Sequence, residues 1–166
     1  MRRRRLIAAA TPLGLCMGLM AGCGFELRRA PVLPFGRIQL LGFATRSPLA
    51  EALKRELAQS TSVVTAAERP EVLLFAVSET RDRAVVAATA GGQLREVQLK
   101  QGLVFRLATA AGRELIGNTP ILLTRDMSYN ETQALAKEQE EAQLIAAMQS
   151  EIVMQVLRRL AGAPKP

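Results

Sequence analysis

The chain has 166 residues, with 22 Lys and Arg against 15 Asp and Glu and a formal net charge of +7. It contains no His, the commonest general base and metal ligand, which excludes Ser-His-Asp and Cys-His catalysis and any zinc finger built on histidine.

The first 23 residues read as an export signal. Four arginines at 2–5 precede a mostly apolar stretch over residues 6–20, broken only by Thr11 and Pro12. Met20-Ala21-Gly22-Cys23 then ends in small residues and a cysteine, the order a secretory signal needs. The apolar stretch is short for a membrane-spanning helix, which takes about 20 residues. Ala21 and Gly22 are small enough for a lipoprotein peptidase to close on the chain before Cys23, whereas Leu15 before Cys16 is too bulky. Residues 1–22 are therefore expected to be removed, leaving Cys23 as a lipid-bearing N-terminus. The alternative is an ordinary cysteine with cleavage elsewhere. Likeness to bacterial lipoproteins implies a diacylglyceryl thioether and an N-acyl chain on Cys23, and several chains together anchor firmly at about 0.8 kcal/mol per buried CH₂. Gly24 in place of Asp implies, by the same likeness, an outer-membrane destination.

Removal of the signal changes the charge balance. Arg2, Arg3, Arg4 and Arg5 leave with it, so the mature chain carries 18 basic and 15 acidic side chains, a net +3. A nucleic-acid partner loses most of its support on that count. The remaining 144 residues suffice for one domain with a core. Their only cysteine is Cys23, so no disulfide within the chain is available and packing alone must hold the fold.

Residues 23–36, with Pro31 and Pro34, read as a lipidated N-terminus and extended tether, and a single domain is expected over 37–161. Arg37-Ile38-Gln39-Leu40-Leu41 is a short strand candidate. Ser47-Pro48 starts a helix, Ser as N-cap and Pro in the first turn. Leu49, Leu53 and Leu57 then recur every four residues to about Ser60, an amphipathic stripe. A strand with room for a bulge is expected over 72–89, interrupted by Arg81-Asp82-Arg83, followed by a turn at Gly91-Gly92. The return strand alternates: Val97, Leu99, Leu103, Phe105 and Leu107 share one face, with Gln101 the exception, and Glu96, Gln98, Lys100 and Arg106 share the other. Ala110-Ala111-Gly112-Arg113 forms a second turn. Pro120 to Met127 makes a further strand, with Pro at its first position. A long helix over 131–160 follows, with Asn130 and Gln133 as a capping box and Leu144, Met148, Ile152, Val156 and Leu160 as its stripe. Gly162 and Pro164 end it, leaving 162–166 as a flexible tail. The order β-α-β-β-β-α predicts an α+β two-layer sandwich, a mostly antiparallel sheet of about four strands covered by two helices.

Two stretches carry a family resemblance. Cys23-Gly24-Phe25-Glu26-Leu27-Arg28 resembles the mature start of the LPS-assembly lipoprotein LptE family. Thr124-Arg125-Asp126-Met127-Ser128-Tyr129-Asn130, followed by Ala134-Leu135-Ala136-Lys137-Glu138-Gln139-Glu140-Glu141, resembles that family's last strand and second helix. The resemblance implies an outer-membrane lipoprotein, not an enzyme, with no cofactor. It implies a plug and assembly partner for the β-barrel LptD, with a role in lipopolysaccharide delivery to the outer leaflet. It also implies lipopolysaccharide contacts: Lys137 matches a basic position of the family's Leu-Ala-Lys stretch, and Arg125 one on the preceding strand. Arg95, just after the Gly-Gly turn, is a further candidate, with Arg81 and Arg83 on the opposing strand. Ala90 is a departure, since some family members carry Arg there.

Two other classes compete. A stand-alone lipid-binding or transport-auxiliary lipoprotein would need a sizeable apolar cavity. An envelope hydrolase would need an acid pair, for which Asp126 and Glu131 are the available carboxylates, though a strand-end Asp and a helix-start Glu account for both.

Overall fold

The computed structural model describes residues 31–166. The expected export signal, Cys23 and the start of the expected tether lie outside the described residues. Five strands form one sheet in the order β2-β1-β3-β4-β5. They are β1 (Arg37–Leu41), β2 (Ser62–Val63), β3 (Val72–Ala88), β4 (Leu94–Thr109) and β5 (Glu114–Ser128), and two helices, α1 (Pro48–Leu57) and α2 (Ala134–Ala161), cover one face. The α+β two-layer architecture expected from the sequence is the one observed.

The capping chemistry at Ser47 is local and legible. Its Oγ accepts from the Ala50 N–H at 3.0 Å and donates to Glu79 Oε1 at 2.9 Å, so the cap also ties α1 to β3. The four-residue repeat puts Leu49, Leu53 and Leu57 into the core, and α1 ends at Leu57. The chain then returns through β2, which pairs parallel to β1. β1 also pairs parallel to β3, while β3-β4 and β4-β5 are antiparallel. The two-residue β2 is the addition to the expected strands. Between β2 and β3 a 3₁₀ turn (Ala66–Glu68) is fastened by the Thr65 backbone N–H and hydroxyl, both donating to Glu68 Oε2. These bonds hold the Glu68 carboxyl below its ordinary value.

Four local expectations are revised. The packed domain begins before residue 37, because Leu33 and Phe35 are buried in the main core rather than extended as tether. At the other end, Ala163 packs against that core and the Lys165 carbonyl accepts from Arg113 Nη2 at 3.0 Å, so the tail is partly held. Pro120 sits inside β5, opposite Val104, rather than opening it. That position tolerates a residue without an N–H because β5 is an edge strand. Finally, the last helix opens as a 3₁₀ turn (Glu131–Gln133), and Asn130 Oδ1 accepts from the Thr132 N–H and hydroxyl rather than forming a reciprocal box with Gln133.

The core has two parts. The larger joins Ile38, Leu53, Leu74, Phe105, Ile152 and Leu160 with their neighbours, at the end of the sheet where α1 and β1 lie. The smaller joins Val97, Leu99 and Met148, flanked by Tyr129, Leu144 and Ile145, at the far end of the sheet. Full burial of one such aliphatic side chain contributes about 1.5–3 kcal/mol, so the far end is held by fewer contributions.

Candidate functional site

The far end gathers most of the sequence-predicted basic residues. The β3–β4 hairpin closes through Thr89, which accepts from the Gln93 N–H at its Oγ1, with Gly92 at φ +79° completing the turn. β5 ends beside it: Ser128 is opposite Glu96, and the Tyr129 N–H donates to the Arg95 carbonyl at 2.8 Å. α2 then begins over this corner.

Lys137 stands in the first turn of α2 and its side chain is only 15% exposed. Its Nζ reaches Glu140 Oε2 at 2.8 Å and Ser128 Oγ at 3.2 Å, linking the helix to the end of β5. The i, i+4 partner suggested by spacing, Glu141, is engaged elsewhere. It accepts from Arg83 Nε at 3.1 Å, and the Arg83 guanidinium lies 6.0 Å from the centre of the Tyr129 ring. Arg95 is exposed, and its side chain is in no ion pair among the described residues. Arg125 faces α2 and donates to Glu151 Oε2 at 3.0 Å. Glu151 lies roughly 21 Å along the helix axis from Lys137 at 1.5 Å per residue. The structure therefore brings Lys137, Arg95 and Arg83 to one corner and places the partner of Arg125 further along α2.

The acid pair is not assembled as a unit by hydrogen bonding. Asp126 accepts from Gln98 Nε2 at 2.9 Å on the uncovered face of the sheet, and Glu131 begins the 3₁₀ turn. Among the described residues no group of acidic or sulfur ligands could hold a metal ion, and no helix is long and apolar enough to cross a membrane.

Two residues gain roles that sequence reasoning did not assign. Tyr129 couples the end of β5 to both Arg95 and Arg83. Gln101, the interruption in the apolar face of β4, is 4% exposed, and its Nε2 has no hydrogen-bond partner. It lines a cavity of about 210 Å³ together with Arg81, Arg83, Leu99, Glu141 and Ile145. The interrupted alternation was the available signal for it.

The family model described as LptE: Lipopolysaccharide-assembly matches residues 35–160. The solution structure of an uncharacterized lipoprotein B from Nitrosomonas europaea is similar over 83% of this chain and 90% of its own, at 31% identity and a TM-score of 0.70. The fold is shared with a minor lipoprotein from Acinetobacter baumannii, at 17% identity over 82% of this chain and 100% of the other, with a TM-score of 0.64. It is shared too with the rare lipoprotein B from Shewanella oneidensis, at 19% identity over 76% and 95% of the two chains, with a TM-score of 0.61. No curated protein matches the chain.

Proposed function

The chain belongs to the LptE lipopolysaccharide-assembly family, and from that premise we propose that it is a lipid-anchored plug and assembly partner of an LptD-type outer-membrane β-barrel, assisting lipopolysaccharide transport and insertion into the outer leaflet. The observation that carries this reading is the extent of the family match: residues 35–160 take in both helices and all five strands almost to their ends. In this reading residues 1–22 are removed, Cys23 bears the lipid, and the domain hangs on the periplasmic side of the outer membrane with its bulk in the barrel lumen. A barrel lumen is polar, and a surface of mixed-sign charge sits in it without an apolar belt. The anchor keeps the domain at its partner's membrane and raises its effective concentration there.

The protein works by binding rather than by catalysis. Lipopolysaccharide carries phosphates and acidic sugars, which Arg and Lys recognise through charge-assisted hydrogen bonds. Lys137 and Arg95 present such donors at one corner of the domain, and Arg125 extends them along α2. Lys137 reaches a ligand by exchanging its bond to the exposed Glu140, which costs little because surface ion pairs contribute about 0–1 kcal/mol.

The test is isolation of the full-length lipidated protein from outer membranes, with its companions identified by mass spectrometry. A large outer-membrane β-barrel is the expected companion, and a protein that never associates with one refutes the reading. In the same preparation Lys137→Glu should weaken lipopolysaccharide binding by about tenfold, as loss and reversal of a contact charge does. Unchanged binding removes Lys137 from the site.

A further inference from the structure

Strand β3 is covered on both sides for only part of its length. Its pairing with β1 stops at Phe75, whereas its pairing with β4 runs on to Ala88. The chain leaves β1 at Gly42, whose φ is +78° and whose position allows no Cβ, because one would lie 2.4 Å from the Ala76 carbonyl oxygen. The start of α1 borders β3 without pairing to it: Ser47 donates to Glu79, and Pro48 and Leu49 line one small cavity with Glu79, Thr80 and Arg81. Beyond Phe75, among the described residues, no strand pairs with this edge of β3, and alternate residues present unpaired N–H and C=O groups outward.

This edge has defined ends. Register shifts fall between Ala76 and Ser78 and between Val85 and Ala87, so Val77 and Val86 are the inserted residues. Both are exposed, at 51% and 48%. Between them residues 78–85 pair regularly with β4, a straight run of about 26 Å at 3.3 Å per residue. Bulges and charges of this kind blunt an edge against indiscriminate pairing, leaving room for a strand that matches the charges.

One of the two arginines on this run stands outside the ion pairs among the described residues. Glu79 accepts from Ser47, Asp82 stands opposite Lys100, and Arg83 is paired with Glu141. Arg81 has no ion-pair partner among the described residues. Its cross-strand partner is Gln101, and both line the 210 Å³ cavity below the open edge. A buried amide donor left unpaired costs desolvation free energy, and an acceptor oxygen entering the cavity relieves it while neutralising Arg81.

We propose that the open edge of β3 over residues 78–85 docks an extended acidic segment of the barrel partner, which adds as a strand and seats a carboxylate on Arg81 and Gln101. The inference rests on the partner named above. A closed barrel wall offers no free strand edge, so the segment is one of the partner's loops or a terminus folded into the lumen.

The experiment uses the full-length lipidated chain with a photo-crosslinking residue, p-benzoylphenylalanine, in place of Thr80, an exposed position on this run. Crosslinked peptides are mapped by mass spectrometry after isolation from outer membranes. The expected product joins Thr80's position to a loop or terminal segment of the barrel protein that contains Asp or Glu. Arg81→Glu should lower its yield about tenfold, and Arg81→Lys should restore most of it. Gln101→Leu should raise the unfolding midpoint of the protein alone, by removing the unpaired donor, yet lower the crosslink yield. A barrel that co-purifies while the product is absent, joins two copies of this chain, or is indifferent to Arg81→Glu and Gln101→Leu overturns this inference and leaves the proposed function standing. A barrel that never co-purifies overturns both.

Discussion

Gly42 and Gly92 have nearly the same backbone, at φ +78° and +79°, and opposite surroundings. At Gly92, in the β3–β4 turn, nothing lies within 4 Å of an added Cβ. Gly92→Ala should therefore cost only the left-handed penalty, about 1–2 kcal/mol. At Gly42 the same change also drives a methyl into the Ala76 carbonyl oxygen, which cannot move without breaking the junction of β1 and β3. Gly42→Ala should be the more destabilising by at least about 1–2 kcal/mol, since the added overlap must be relieved by a backbone shift. Urea unfolding of the two variants checks the order, and equal midpoints would show that the β1 exit is softer than its geometry implies. Other residue-scale features were legible without coordinates. Ser47 was readable as a cap because capping depends on the next three residues alone, and Gln101 announced itself as a polar residue in an apolar face. That its Nε2 would lack a partner was not readable, because the groups around it come from β3 and α2.

Among the elements, the sheet's two faces behave differently, and periodicity told them apart. Phe105 lies on the helix-covered face and is fully buried in the main core, whereas Leu122 of β5 is 65% exposed on the uncovered face. Phe105→Ala should cost about 3–5 kcal/mol, transfer and cavity contributions together. Leu122→Ala should stay within about 0.5 kcal/mol. Thermal unfolding of both checks the contrast, and a comparable loss from Leu122→Ala would mean that the outer face is covered. On that outer face the Arg106 guanidinium lies 4.0 Å from the centre of the Phe75 ring, shielding part of its apolar surface. Helix boundaries were less legible than faces. The long apolar stripe of α2 fixed its existence, but its first turn is 3₁₀ because Asn130 bonds to Thr132, one residue short of the box position. Interior strands exclude proline, so Pro120 on its own points to a strand start. Its place within β5 depends on β5 being an edge, which is a property of the sheet and not of the segment.

At the scale of the whole molecule, the domain is firmly held at one end and lightly at the other. The main core lies where β1, α1 and the C-terminal half of α2 meet β3 and β4, while the far end rests on the small cluster of Val97, Leu99 and Met148. Local opening follows the density of buried apolar contacts. Backbone amides of Val97 and Leu99 should therefore exchange with deuterium faster than those of Leu103, Phe105 and Leu107 on the same strand. Hydrogen exchange read by mass spectrometry checks this gradient, and uniform protection along β4 would contradict it. The gradient fits the proposed role, since the corner holding Lys137, Arg95 and Arg83 can adjust to a ligand while the base keeps its fold.

Features that depend on near neighbours in the chain are legible from the residues alone. The period-two and four-residue repeats set the faces of β4, α1 and α2, and the glycine pairs and caps set the turns. The expectation of an export signal before Cys23 and the stretches resembling one family likewise needed only contiguous residues. Features that depend on distant residues meeting emerge only in the folded chain. β2 is two residues long, too short to carry any period, and exists because β1 offers it a parallel edge. Lys137 pairs with Glu140 and not Glu141, because Arg83, far away in the chain, holds Glu141. Ion pairs and cavities of this kind turn on ångström-scale register between strands and helices, and each is weak enough that the fold, once made by apolar burial, chooses among them.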